Sequence, residues 1–369
     1  MNADDVRKIA EEAMAANGHA KIDATDLGIR SLAELIAEEA NAPDPHSLVE
    51  QVLRSDDYGP YAGKPKVGKT WLASEFGISI ATGTKFVDNY ETHRGRVLFF
   101  AGEGGRSRTL RRLSAVAAAK GIELGDIDDL RVSLKAPAIH EDAVRQALAD
   151  ELERWPADLI IGEPFYLMGR GVGRGQLNEI GAVLYASQEV AQDAGSALLL
   201  GDHWNKGGEG IGAQRITGAG MHEWGRVLIN GIVTDQQTDL AKRATSVDVR
   251  WDVAGELADF GFKIRRQVRP TDPNDPASPL IYSCQFLGEH DPSTTSVLSE
   301  EANALLRELR AKQASESRPA KSNDIRIAAK IDGRRASDFW KELEQVGMID
   351  RTEGQAGKSF DVWLTQDED

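Results

Sequence analysis

One run of eight residues, Gly63-Lys64-Pro65-Lys66-Val67-Gly68-Lys69-Thr70, constrains this chain more than any other feature. It fits G-x-x-x-x-G-K-T without a mismatch, and each element has a chemical reason. Glycines let backbone N–H groups crowd around an anion, Lys69 neutralises phosphate charge, and Thr70 offers a hydroxyl to Mg²⁺. The next residues, from Trp71 through Ala81, are mostly apolar and read as a helix whose positive N-terminal end points at the bound phosphates. The whole segment from Gly63 to Trp71 is therefore the candidate nucleotide-binding loop. A buried strand should precede such a loop, yet DDYGPYA carries two aspartates, a glycine and a proline, so the sequence predicts only a short or irregular strand around Tyr61-Ala62.

Downstream, apolar runs bounded by turns alternate with helical stretches. The runs are 96–101 (RVLFFA), 158–162 (DLIIG), 197–201 (ALLLG) and 226–233 (RVLINGIV). The helical stretches cover 69–81, 109–120, 141–154 and 179–194. Crossovers of that length imply a mainly parallel sheet flanked by helices on both faces, an α/β fold. After Thr234 the strand-like pieces 246–253, 261–268 and 281–286 are separated by polar turns and read as antiparallel additions to the same sheet.

Before the loop, 3–17 and 32–40 show helical spacing, and Asp44-Pro45-His46-Ser47 reads as a turn and cap for a short helix ending near Arg54. The expected organisation is a helical N-terminal region over 1–57, the α/β domain over 58–290, and a helix with linker over 291–323. Residues 324–369, read as helix, helix, strand, Gly-containing turn and strand, suggest a winged-helix domain whose wing is tipped by Gly354, Gly357 and Lys358.

Formal net charge is −15, which argues against a uniformly basic surface but not against local contacts with nucleic acid. Between Asn303 and Lys341 ten Lys or Arg stand against five acids, a local excess that includes Arg334 and Arg335. No stretch approaches the roughly 18 apolar residues that span a bilayer. The acidic, helix-patterned start differs from a signal peptide, and Cys284 stands alone, so a reducing cytoplasm is the expected compartment.

Other strand ends carry chemistry too. Glu103, just past RVLFF, is either a general base that orients and deprotonates an attacking water or a loop glutamate facing solvent. Glu163 follows DLIIG, where an acid holding Mg²⁺ is expected. Asp202 and His203 end the fourth strand, and a Gly-rich loop with Lys206 and Arg215 follows.

In this order the motifs resemble the RecA-like ATPases, and more narrowly the hexameric helicase group that includes plasmid RepA and its phage and plasmid relatives. The resemblance runs from Ala62 to Phe286 and is carried by GKPKVGKTWLA, VLFFAGEG, ADLIIGEPFYLM, LLLGDHWNKGG and the Arg226 strand. It implies that ATP and Mg²⁺ bind through Lys69 and Thr70, and that Glu103 is the general base. It also implies that Glu163 stands where a metal-holding aspartate is usual and that His203 senses nucleotide state. An arginine reaching a neighbouring subunit's γ-phosphate is implied as well, with Arg226 the first choice and Arg215 the second. Loops carrying Arg170 and Arg174, and Lys206 and Arg215, would line the channel of a homo-oligomeric, hexameric ring and grip single-stranded DNA. Arg334, Arg335 and Lys358 would bring the tail to duplex DNA or to a partner protein. The function expected is a replicative helicase or translocase, the alternative a nucleotide-switched DNA-binding or loading protein with slow ATPase activity, and a strand-exchange recombinase ranks lower.

Overall fold

A computed structural model of the chain describes residues 29–40, 45–169, 177–203, 221–255, 259–275, 277–292, 300–315, 319–333, 336–345, 349–352 and 359–364. Two compact units emerge, 1–46 and 47–369. Within the first, helix α1 (Leu32–Glu39) starts in a reciprocal cap. The Glu34 N–H donates to Ser31 Oγ at 3.2 Å, and the Ser31 N–H donates to Glu34 Oε2 at 2.7 Å.

The second unit opens with a hairpin of β1 (Ser47–Val49) and β2 (Leu53–Arg54) where a short helix is expected. Tertiary burial overrides the cap signal. Leu48, Val49, Val52 and Leu53 are all buried in the core, and Val49 bridges to Thr92.

Next come β3 (Tyr58–Gly63), α2 (Lys69–Thr82), β4 (Val97–Ala101), α3 (Gly105–Ala119), β5 (Leu130–Ser133) and α4 (Asp142–Arg154). They are followed by β6 (Leu159–Glu163), α5 (Phe165–Met168), α6 (Leu177–Asp193), β7 (Ala197–His203) and α7 (Met221–Trp224). Four long strands then succeed one another: β8 (Leu228–Asp239), β9 (Ala244–Ala254), β10 (Phe260–Pro270) and β11 (Leu280–His290). All but the first hairpin join one nine-stranded sheet of order β11-β10-β9-β8-β3-β7-β6-β4-β5. Pairings from β8 to β5 are parallel, while β8-β9, β9-β10 and β10-β11 are antiparallel. The antiparallel strands thus extend the parallel sheet, as the polar turns between them suggest.

Alternation sends successive side chains to opposite faces. Val97, Phe99 and Ala101 join the core beneath α2 and α3. Leu98 and Phe100 join a second core with Leu152 of α4, Phe165 of α5 and Val183 of α6. Helix α2 is apolar nearly all round and correspondingly buried, and it ends at Gly83 in the left-handed conformation, whose N–H bonds the Ser79 carbonyl.

Two further expectations are corrected. β5, whose LRVS lacks a buried run, is an edge strand that the sequence reading passes over. β3 is neither short nor irregular: it spans six residues, sits between β7 and β8, and is buried from Gly59 onward. Pro60 is accommodated because β3 pairs with β8 only over Tyr61–Gly63. Gly59 is required by a close approach, since a Cβ there would meet the Val227 carbonyl oxygen at 1.7 Å.

The last described elements are α8 (Glu300–Ser315), β12 (Ala320–Lys321), α9 (Ser322–Ala328), α10 (Ala336–Gln345), β13 (Ile349–Arg351) and β14 (Asp361–Leu364). The strands form a three-stranded sheet of order β12-β14-β13. Helix α8 is no mere linker helix. Its Leu305 and Leu309 share a core with Ile325, Trp340, Leu343, Ile349 and Val362, and Gln313 accepts the Leu364 N–H at 2.9 Å. The expected wing tip at 353–358 lies outside the described residues.

Gly59→Ala should lower the stability of the chain by about 3 kcal/mol or more, because the Val227 backbone cannot yield as a side chain would. Urea unfolding checks this, and a midpoint equal to wild type would contradict the close approach.

Candidate nucleotide-binding site

Parallel register brings four strand ends to one edge of the sheet. Ala62 is opposite Asp202, Gly63 opposite His203, and Ala101 opposite Glu163. In open α/β sheets ligands bind outside this carboxyl edge. The loop after β3 turns sharply here. Lys66 has φ 72°, Gly68 has φ 109°, and the Val67 N–H donates to the Lys64 carbonyl at 3.2 Å. Lys64 is half-buried, Pro65 and Lys66 are exposed, and Val67 is packed inside.

Lys69 opens α2 with only 7% of its surface exposed. Its Nζ donates to the Gly63 carbonyl at 3.2 Å and lies 3.0 Å from His203 Nδ1. An ammonium can only donate, so His203 accepts on Nδ1 and carries its proton on Nε2. Burial pushes the Lys69 pKa down, and the charges of Glu163, Asp202 and Glu103 oppose that shift.

One residue on, Thr70 Oγ1 donates to Glu163 Oε1 at 2.8 Å. Glu163 Oε2 is buried and has no well-formed hydrogen bond among the described residues. Burial raises the Glu163 pKa to about 7, against the pull of the Thr70 hydrogen bond, Lys69 and Arg112. The Tyr61 phenol, fully buried on β3, is pushed up by burial and then by the nearby Glu163 charge. A hydroxyl beside an incompletely satisfied carboxylate, next to a phosphate-binding loop, is a donor set that fits Mg²⁺ held together with a nucleotide.

Glu103 differs in environment. It is exposed, two residues beyond Ala101, and receives the Tyr166 hydroxyl at 3.5 Å. Its charge is felt by Lys69, Glu163 and Arg112, so it stands at the mouth of the same site.

Residues 28–209 match the family model of an AAA domain. No curated protein matches the chain. That match spans just under half of the chain, takes in the phosphate loop and the ends of β4, β6 and β7, and supports a P-loop ATPase class for this segment.

Within the nine-stranded sheet and its helices, two proposed site residues stand apart. Trp71 lies roughly 200° around the helix from Lys69, so it faces away from the lysine. Its ring stacks on Tyr282 of β11, with centroids 4.9 Å apart. Arg226 precedes β8 at the opposite edge of the sheet, roughly 16 Å of strand from the loop. There its N–H bonds the Tyr58 carbonyl and its guanidinium lies 3.7 Å from Asp56. Within one chain it does not join the site. Arg170, Arg174, Lys206, Arg215, Arg334, Arg335 and Lys358 lie outside the described residues.

Two more residues stand beside the site: Asp202, already named at its strand end, and Arg112, which the motif reading does not single out. Asp202 ends β7 buried within range of Lys69. Arg112 of α3 is half-buried near Glu163 and Glu103, its pKa lowered by burial. The signal for Arg112 was present. Arg106, Arg108, Arg111 and Arg112 crowd the start of α3 with no acid in its first turn, opposing the helix dipole.

Glu163 also gives the fold a pH dependence. Between 4.5 and about 7 the folded chain holds a proton that the unfolded chain has released. Its contribution is therefore fully present below about pH 4.5, falls as pH rises to about 7, and is flat above that. Glu163→Gln should remove this slope. Urea midpoints of both proteins between about pH 5 and about pH 8 test it, and equal slopes would contradict the buried, proton-holding carboxyl.

Proposed function

We propose that the chain hydrolyses ATP with Mg²⁺ and uses the energy as a ring-forming motor on DNA. The observation that carries the reading is the pair of carboxylates in unlike settings at one strand edge. Glu163 is buried against Thr70, while Glu103 is exposed at the site's mouth. Environment separates the roles. Glu163 with Thr70 would hold Mg²⁺, which supplies charge neutralisation at the phosphates when bound. Glu103 orients a water and takes its proton. Lys69 has a short reach from the Gly63 carbonyl and His203 to an incoming phosphate, and loss of that contact would report nucleotide arrival to the β7 end.

The ring, the grip on single-stranded DNA and an arginine supplied between subunits rest on the resemblance to hexameric helicases. Arg226 remains the proposed inter-subunit arginine, because its partly exposed side chain lies at the far edge of the sheet, clear of its own loop. The order helix, strand, helix, helix and two strands over 300–364, with its own core, supports reading the tail as a winged-helix module for duplex DNA or a protein.

Lys69→Ala should abolish ATP turnover. Glu103→Gln should keep nucleotide binding while turnover falls about 10²- to 10⁴-fold. Full turnover in Lys69→Ala would reject the site, and lost binding in Glu103→Gln would make Glu103 structural. A strand-displacement assay with ATP, beside sizing of the assembly, separates a motor from a nucleotide-controlled binding protein: ATP-driven unwinding by a ring is the expected result, and turnover without displacement favours the switch.

A further inference from the structure

The antiparallel extension reaches the phosphate loop through one buried cation. Arg266 of β10 is 7% exposed, and its Nη1 donates to the Val67 carbonyl at 3.0 Å. No carboxylate forms an ion pair with it among the described residues. Ordinarily a buried charge is paired, because taking a cation out of water is costly. The site has been built around this side chain: a Cβ on Gly68 would fall 1.3 Å from Nη1, so the loop's second glycine is also the vacancy into which the guanidinium fits. Neighbouring contacts hold the same surfaces together. Trp71 stacks on Tyr282, and Lys120 pairs with buried Glu75 of α2 at 2.9 Å.

Geometry says what the Arg266 bond does to the loop. The Val67 carbonyl and the Gly68 N–H belong to one trans peptide, so they point in opposite directions. Pinning the oxygen on Arg266 aims the Gly68 N–H away from β10. Phosphate-binding loops hold anions through such backbone N–H groups, so fixing this peptide fixes the direction of one of them. The same guanidinium adds a positive charge beneath the loop, in a setting where water screens it poorly.

We propose that Arg266 is a positioning residue for nucleotide binding, which orients the Gly68 N–H and lends its unpaired charge to the bound phosphates. This rests on the reading of the loop as an ATP site and deepens it. Because the attraction scales with ligand charge, the triphosphate gains more than the diphosphate.

Arg266→Gln keeps a donor but loses the charge, and Arg266→Lys keeps both on a shorter stem. Dissociation constants for ADP and for a non-hydrolysable ATP analogue, both with Mg²⁺, would be measured on the full chain alongside thermal unfolding. Arg266→Gln should weaken the triphosphate analogue about tenfold, or about 1.4 kcal/mol, and ADP less. Arg266→Lys should recover most of that loss. A merely structural arginine would change the unfolding midpoint but not the ratio of the two affinities. Folded Arg266→Gln binding both nucleotides within twofold of wild type would overturn the proposal. Should Arg266→Gln fail to fold, Arg266→Met, which fills the same space without the charge, decides: a triphosphate loss exceeding the ADP loss supports the proposal, and unchanged affinities overturn it. Wild-type protein that binds neither nucleotide would overturn the ATP-site reading as well, which distinguishes the two failures.

Discussion

A phosphate-binding loop turns its N–H groups toward an anion and leaves them without internal partners, so its shape has to be imposed from outside. Everything around residues 63–70 answers that requirement. β3 enters between two parallel neighbours and delivers Gly63 at the sheet edge. α2 leaves behind Gly68 and is buried on nearly every face, so the helix cannot swing. Arg266 and the Trp71–Tyr282 stack brace the loop from the antiparallel side. A loop held from three directions keeps its donors in place before any ligand arrives, which is what preorganised anion binding demands.

Electrostatics at the edge follow from the same placement. Burying Lys69 beside Glu163 and Asp202, with Glu103 nearby, gives a cation surrounded by acids that compete for it. Glu163 resolves part of this by taking up a proton more readily than an ordinary carboxylate. A divalent cation carried in with a nucleotide would answer the remaining negative charge, and the chain's acidic cluster is arranged to need it. His203 completes the link by accepting from Lys69 across the β3–β7 pairing.

Much of the site was legible because its residues sit at strand ends, and strand ends are marked by apolar runs stopping at polar groups. VLFFA, DLIIG and ALLLG announce Glu103, Glu163 and Asp202-His203 in that way. What local pattern misjudged was context. Asp57, Gly59 and Pro60 argue against a central strand one residue at a time, yet pairing with β7 along the whole of β3 outweighs their propensities. The turn at 44–47 reads as a helix cap, but four apolar side chains close behind it gain more by entering the core as a hairpin. Leu130–Ser133 lacks a buried run because an edge strand has only one neighbour to pair with.

By itself the sequence determined a loop of phosphate-binding pattern before a buried helix, within alternating strands and helices, because those features depend on neighbours in sequence. Tertiary structure alone decided which acids meet Lys69, where Trp71 and Arg226 point, and what holds the loop in shape. Arg266 lies 199 residues from Val67. No local pattern encodes such a contact. It exists because the antiparallel strands continue the parallel sheet past β8 and bring β10 back against α2.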